Sequence, residues 1–520
     1  MSKKSFIFSS LKMSVATLSS RVLGFLREII FASLFGASGL TDAYHVAFRI
    51  PNMLRDLFAE GSFSAAFVPI FTSEKNANED EAIRLFWTMA IVLIVLTTLV
   101  SIGVFIFAPE LVMLLTDEKF TSDPKRFELS INLTRMMAPF LTFVSIAALF
   151  LGVLNTYRMF FGPALAPASF NVVMIMSMLG LTPLLESKGY SGIYSLGVGV
   201  FLGGFVQMLF QVPMLLRKGI LKFKGFVFRS PKVTEVLKRM SIGTVGVAAN
   251  QINLLVTTIL ATGTVVGAVS WLSYAFRLFQ FPVGILGVSI GNANLVHFSD
   301  EWRSGDQKKA ITFLQTSYLS ALFVMLPAMV LIYVLSEQTV NIAFKRGAFD
   351  TRDSAMVVIA LKAYLVGLPF YGLYKVLSPS FYTIDKPKVA VYTSSVSVLL
   401  NIIFCLYFID RVGFEILAYG TSLSMIFNVT CLSLFLVKYL GIGFRFFFPL
   451  RLLKIVTSSV VIYFIMTYFR DFLISSQVSA LLIFLITSVI GGFSYVVSLC
   501  VMGDYRYVSS FLRKFLKRKS

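Results

Sequence analysis

Apolar windows of twenty or more residues, bounded by glycine, proline and short charged stretches, run through the chain from end to end. They fall near 11–36, 41–72, 85–108, 129–156, 160–185 and 192–216, and then near 240–262, 265–298, 311–335, 355–384, 388–409, 414–438, 450–469 and 477–502. Continuous apolarity over about 20 residues is what a helix needs to cross about 30 Å of hydrocarbon. The windows do not alternate with period two, so they read as helices and not as strands of a barrel. The pattern predicts an all-α polytopic membrane protein with about fourteen transmembrane helices. The first, second, eighth and tenth windows are the least apolar and have the least defined ends.

Composition agrees. Of 520 residues, 57% are hydrophobic and 14% charged, and the mean hydropathy is +0.82, far from a soluble domain with about 25% charge. The net charge of +20 could serve a nucleic-acid binder, but most Lys and Arg lie in short connections between apolar windows, the pattern that sets membrane orientation. With cytoplasmic termini, and with residues at window ends counted with the connection they border, about 29 of the 46 Lys and Arg fall inside, about 9 outside and about 8 within the spans. Orientation and helix count support each other. Met1 to Ser20 carries Lys3, Lys4 and Lys12 without a compact apolar core and cleavage site, so the first helix reads as an uncleaved anchor.

The basic connection 217–239 holds eight Lys or Arg against a single Glu235 and divides the spans into two groups of six with two left over. Residues 1–216 read as an N-terminal lobe, 240–440 as a C-terminal lobe, and 441–520 as the last two helices and a basic cytoplasmic tail. Ala47-Phe48-Arg49 returns as Ala275-Phe276-Arg277 in the second helix of each group, and Arg158 with Pro163 returns as Lys386 with Pro387. Repeats in equivalent helices favour two parallel lobes around a central cavity.

The arginines inside the spans carry the most chemistry. Arg21, Arg27, Arg49, Arg55 and Arg277 would each cost about 2.5–3.5 kcal/mol at a helix centre, on the order of 15 kcal/mol together, as much as a whole domain's stability. They are expected to face water, acids or a bound anion; the plainer alternative is that some snorkel or pair with Glu28, Asp42, Asp56 or Glu60. Arg21 and Arg27 are six residues apart, as are Arg49 and Arg55, so each pair diverges by about 120° on a straight helix. Gly24 and Pro51 lie between them and permit a kink. Guanidinium forks fit phosphate oxygens, which favours a phosphate or pyrophosphate ligand. Asp42, after Gly36-Ala37-Ser38-Gly39, reads either as a cap of the second helix together with Thr41 or as a gate that pairs with an arginine.

Cys405, Cys431 and Cys500 lie in apolar windows without metal-ligand spacing. His45 and His297 are the only histidines, and no HExxH, GxSxG or phosphate-binding glycine loop occurs. A membrane-embedded enzyme acting on a lipid-linked phosphate is the different-class alternative. The last two helices read as packing, or as a groove for a long acyl or isoprenoid chain.

Specific motifs go further. Ser20-Arg21-Val22-Leu23-Gly24-Phe25-x-Arg27-Glu28, Thr41-Asp42-Ala43, Pro51-Asn52-x-Leu54-Arg55 and Phe58-Ala59-Glu60-Gly61-Ser62-Phe63-Ser64 resemble the N-terminal signature of the MurJ (MviN) lipid II flippases. Leu154-Asn155-Thr156, Pro163-Ala164-x-Ala166-Pro167 with Asn171, Tyr274-Ala275-x-Arg277-Leu278, Lys345-Arg346-Gly347-Ala348-Phe349 and Lys375-Val376-Leu377-x-Pro379 with Asp385 and Pro387 extend the resemblance over about residues 10–440. Asn292-Ala293-Asn294-Leu295-Val296 departs from it, since the family usually has a more apolar stretch ending in proline.

The resemblance implies a multidrug/oligosaccharidyl-lipid/polysaccharide (MOP) exporter fold with two six-helix lobes around a cationic cavity and two added helices. It implies transport, not catalysis: lipid II, an undecaprenyl-pyrophosphate-linked disaccharide-pentapeptide, is carried by alternating access from the cytoplasmic to the periplasmic leaflet of the bacterial inner membrane. The family's cationic cavity residues fall on Arg21, Arg27, Arg55 and Arg277, with Arg49 where lysine is common, and its conserved acid falls on Asp42. Glu60 joins Asp42 as a candidate gate or ion-pair residue. No metal, cofactor or nucleic-acid partner is expected; the protein is expected to act as a monomer among membrane lipids, driven by the membrane potential or by an ion gradient with Asp385 as a candidate cation site. A flippase for another polyprenyl-linked glycan, or a drug exporter of the same superfamily, is the nearest alternative.

Overall fold

The computed structural model describes residues 3–58, 62–505 and 509, and among them it is helical throughout, without a strand. Ten helices are long and apolar enough to cross a membrane, and a pair bent by 42° makes an eleventh span. The first two expected windows are also helical, but the arginines and acids they carry keep them below that threshold; in the seventh, the stretch Gln251–Thr262 is apolar but too short by itself to count as a span. The chain is a multi-pass membrane protein.

Two compact units form, Met1–Ser270 with Gly347–Phe349, and Trp271–Arg346 with Asp350–Ser520. The first unit contains α1 (Lys3–Phe35), α2 (Gly39–Phe58), α3 (Ser62–Ala77), α4 (Glu79–Ile106), α5 (Pro124–Thr156), α6 (Phe161–Ser187), α7 (Tyr194–Arg217) and α8 (Pro231–Thr262). The second window, expected as one span, covers α2 and the start of α3, with residues 59–61 outside the described ones. Local signals explain the helix starts: Asn78 accepts from the amides of Asp80 and Glu81 at the head of α4, where three acids oppose the helix dipole, and Asp123 caps α5 ahead of Pro124. α8 follows the basic connection and packs on α3 and α2. Phe63, Phe67, Phe71, Phe86 and Phe150 fill the core shared by α3, α4 and α5.

The second unit continues α9 (Ala268–Arg303), whose first turn belongs to the first unit, and adds α10 (Gln307–Val334), α11 (Thr351–Leu365), α12 (Leu368–Thr383), α13 (Pro387–Val412), α14 (Glu415–Leu440), α15 (Leu450–Ser475) and α16 (Ala480–Val501). α9 passes through a π turn, Val283–Gly287, directly after Pro282, because proline removes a helical donor and the ladder slips to reaccommodate it. α11 and α12 form the bent pair; Gly367 at the bend lies so close to α14 that a Cβ there would stand 2.9 Å from the Ser422 Cα. The departure from the family pattern at Asn292-Ala293-Asn294-Leu295-Val296 has a structural reason: buried Asn294 donates to the Val376 carbonyl and the Ser380 hydroxyl of α12. α15 packs on α10 and α16.

Candidate functional site

α1 and α2 bring the arginines into the first unit. Both helices run unbroken past the expected kink positions, Gly24 in α1 and Pro51 in α2. Gly24 instead lies against Asn171 of α6, which donates to the Ser20 carbonyl of α1 at 3.2 Å and so fastens the arginine-bearing stretch of α1 to α6.

A cavity of about 380 Å³ opens within this unit, with Arg27 and Arg55 among its lining. Pro163, Ala166, Pro167 and Phe170 of α6 form an apolar wall, and Asn171, Gln207 and Gln211 supply amides. Arg27 Nη2 donates to Glu28 Oε1 at 2.5 Å, and both groups are largely shielded from solvent; the guanidinium also lies 5.8 Å from the Phe170 ring centre. Arg55 donates through Nε and Nη2 to Asp56 Oδ1, and Asp56 Oδ2 accepts from Gln251 of α8. Each cavity arginine therefore has an adjacent carboxylate that balances its charge and orients its fork. An entering anion exchanges one partner for another and need not desolvate a bare cation.

The other expected residues are placed as follows. Arg21 is exposed on α1, and Arg49 is half-buried on α2. Arg277 is exposed on α9 in the second unit. In the repeated triplets Ala47 and Ala275 are both fully buried; the small residue faces the helix packing in each case. Glu60 lies outside the described residues. Asp385 is exposed in a turn with φ 55°, and no group of three or more His, Cys, Asp or Glu able to hold a metal occurs among the described residues.

Asp42 takes a part that neither expectation named. Thr41 closes the start of α2 by accepting from the Ser38 amide at 2.7 Å. Asp42 turns away to the start of α9: Oδ2 accepts from the Gly267 amide at 2.6 Å, and Oδ1 from the Ser270 amide at 2.9 Å and hydroxyl at 2.7 Å. It is 3% exposed, and no Asp42 ion pair with Lys or Arg occurs among the described residues. Its partner lies some 225 residues away in sequence, so local reading favoured a nearby cap or an arginine.

Sequence reasoning missed Gln207 and Gln211. The signal was present: two amides four residues apart fall on one helix face in the otherwise apolar stretch Phe201–Leu216. On α15 and α16, a groove of about 280 Å³ is lined by Val461, Ile465, Phe493, Val497 and Val501.

Comparison with known proteins is consistent with this arrangement. A family model described as "Lipid II flippase MurJ" matches residues 31–502. A "Probable lipid II flippase MurJ" of Buchnera aphidicola subsp. Schizaphis graminum is 32% identical over 474 residues, covering 90% of this chain and 89% of the relative. A "Lipid II flippase MurJ" of Burkholderia cenocepacia is 36% identical over 411 residues, covering 76% and 77%. Among solved structures, "Lipid II flippase MurJ, inward closed conformation" aligns with a TM-score of 0.79 at 28% identity over 95% of this chain and 99% of that one. An inward-facing multidrug resistance MATE transporter of the MOP superfamily aligns with a TM-score of 0.67 at 14% identity, over 85% and 99%, and shares the fold.

Proposed function

This chain belongs to the MurJ lipid II flippase family, and from that premise we propose that it moves lipid II, the polyprenyl-pyrophosphate-linked precursor of peptidoglycan, across the bacterial inner membrane by alternating access. It is a transporter and not an enzyme. The observation that carries the chemical reading is the cavity within membrane-embedded helices on which Arg27 and Arg55 both open. A pyrophosphate and a sugar-peptide headgroup cannot be drawn through hydrocarbon without a prohibitive desolvation cost, so the protein must offer a polar path while the lipid tail remains in an apolar phase.

In this reading Arg27 and Arg55 take the pyrophosphate oxygens as bidentate donors, releasing Glu28 and Asp56. Arg21, Arg49 and Arg277 extend the cationic path, and Asp42 and Glu60 act at its gate. The groove on α15 and α16 suits an isoprenoid chain. The termini are cytoplasmic, the protein works as a monomer, and the cycle draws on the membrane potential acting on the arginines or on a cation gradient, with Asp385 as the candidate site.

Depletion in a host that depends on this chain tests the substrate. Lysis with accumulated lipid II is the expected outcome. Loss of a surface polysaccharide in viable cells, with lipid II at its normal level, would assign the protein to another polyprenyl-linked glycan.

A further inference from the structure

Gln211 sits where α7 is interrupted. The helix Tyr194–Leu209 ends at Phe210, and a second piece, Val212–Arg217, begins after Gln211 with Pro213 in its first turn. Interrupted helices with polar groups at the break are where transporters place substrate contacts, because irregular backbone inside a membrane is tolerated where it borders a cavity. Gln211 lines the same cavity as Arg27 and Arg55, and it is only 1% exposed.

The orientation of its amide is set from outside. Nε2 donates to the Ala147 carbonyl of α5 at 3.0 Å, and a carbonyl can only be met by the nitrogen end. This leaves Oε1 as an acceptor, and Oε1 is buried with no hydrogen-bond partner among the described residues. A buried acceptor without a donor costs about 1–3 kcal/mol, so it is expected to be retained where something supplies that donor. The arginines can only donate to the pyrophosphate. Gln211 offers the complementary function, an acceptor, and the nearest donors on the substrate are the hydroxyls and acetamido N–H of the sugar attached directly to the pyrophosphate. A cavity of about 380 Å³ is at the small end of ligand pockets, fit for this junction of the headgroup and too small for the whole of it.

We propose that Gln211 is a specificity-determining residue whose Oε1 accepts a hydrogen bond from the pyrophosphate-linked sugar, so that the arginines hold the charge and Gln211 reads the glycan. The inference rests on the lipid II reading above. Sites that hydrogen-bond a substrate group discriminate against ligands lacking it, because the buried polar partner is then left unpaired.

The test compares two ligands on the purified protein in detergent: lipid II, and undecaprenyl pyrophosphate, which keeps the pyrophosphate and the tail and lacks the sugar. Gln211→Met keeps the length and bulk of the side chain and removes the acceptor. The variant is expected to bind lipid II about tenfold more weakly than wild type and undecaprenyl pyrophosphate equally well, the second ligand serving as the control for folding. Arg27→Ala should weaken both. Equal loss for the two ligands in Gln211→Met would make Gln211 a structural residue and overturn the proposal, as would unchanged lipid II affinity. Failure of the wild-type chain to bind either lipid would instead overturn the flippase reading itself.

Discussion

Replacing Asp42 gives the sharpest test of how the first unit is held together. Its carboxylate meets three donors, the Gly267 amide on one oxygen and the Ser270 amide and hydroxyl on the other. Ser270 and Thr41 are fully buried, so water cannot easily take over. Asp42→Asn keeps the shape but leaves only one acceptor oxygen and turns an NH₂ group towards a donor. At least one hydrogen bond to a charged group is lost, at about 1.5–3 kcal/mol. Asp42→Ala removes all of them. The Ser270 hydroxyl keeps Thr41 as a partner at 2.9 Å, so two amides are orphaned and the cost rises to about 3–6 kcal/mol. At roughly 2–4 °C per kcal/mol, the Asn variant should melt about 3–12 °C below wild type, and the Ala variant lower still. Hydrogen exchange on the purified protein supplies the local readout: the Gly267 and Ser270 amides should lose protection in both variants while the amides of α4 stay protected. If Asp42→Asn kept wild-type protection at both amides and an unchanged melting temperature, the carboxylate would not be holding this segment, and the argument from its three bonds would fail.

Three further outcomes follow from packing and charge. A Cβ at Gly291 would stand 2.4 Å from the Lys375 carbonyl oxygen, backbone against backbone, so Gly291→Ala should cost at least 1–3 kcal/mol and reduce the yield of folded protein. Gly180→Ala, with nothing within 4 Å, should be neutral or slightly stabilising by melting temperature. At the head of α5, the hydrogen bond from Arg126 holds the Asp123 carboxyl below its ordinary value. The contribution of that carboxylate is therefore present above about pH 3.9 and lost as the pH falls through the lowered folded value. Proteolysis of the preceding connection should quicken over that acid window in wild type and lose this dependence in Asp123→Asn, with a small amplitude because Asp123 is well exposed.

The helices were legible in the sequence because a bilayer demands long apolar segments, and each predicted window coincides with a helix or a closely spaced pair of helices. The interruptions within them were not. α7 is interrupted at Phe210 and Gln211, and α5 at Pro139 between Met137 and Phe140, yet both windows stay apolar enough to read as single spans. Proline alone is a poor guide: Pro51 sits inside an unbroken α2, whereas Pro282 precedes a π turn. The pairings Arg27–Glu28 and Arg55–Asp56 were legible because the partners adjoin in sequence. The bonds of Asp42, and the cavity shared by α1, α2, α3, α5, α6 and α7, depend on tertiary packing, and no local pattern encodes them.

The central claim is that arginines opening on an intramembrane cavity carry a polyprenyl-linked pyrophosphate across the bilayer. Its most direct measurement is lipid II translocation in proteoliposomes that contain only this protein, with membrane potential and ion gradients set separately. Wild type should deliver lipid II to the opposite leaflet, and Arg27→Ala and Arg55→Ala should abolish delivery while inserting at normal levels. Lysine at either position should restore part of it, since charge returns without the planar fork. Wild-type rates in both alanine variants would contradict the account.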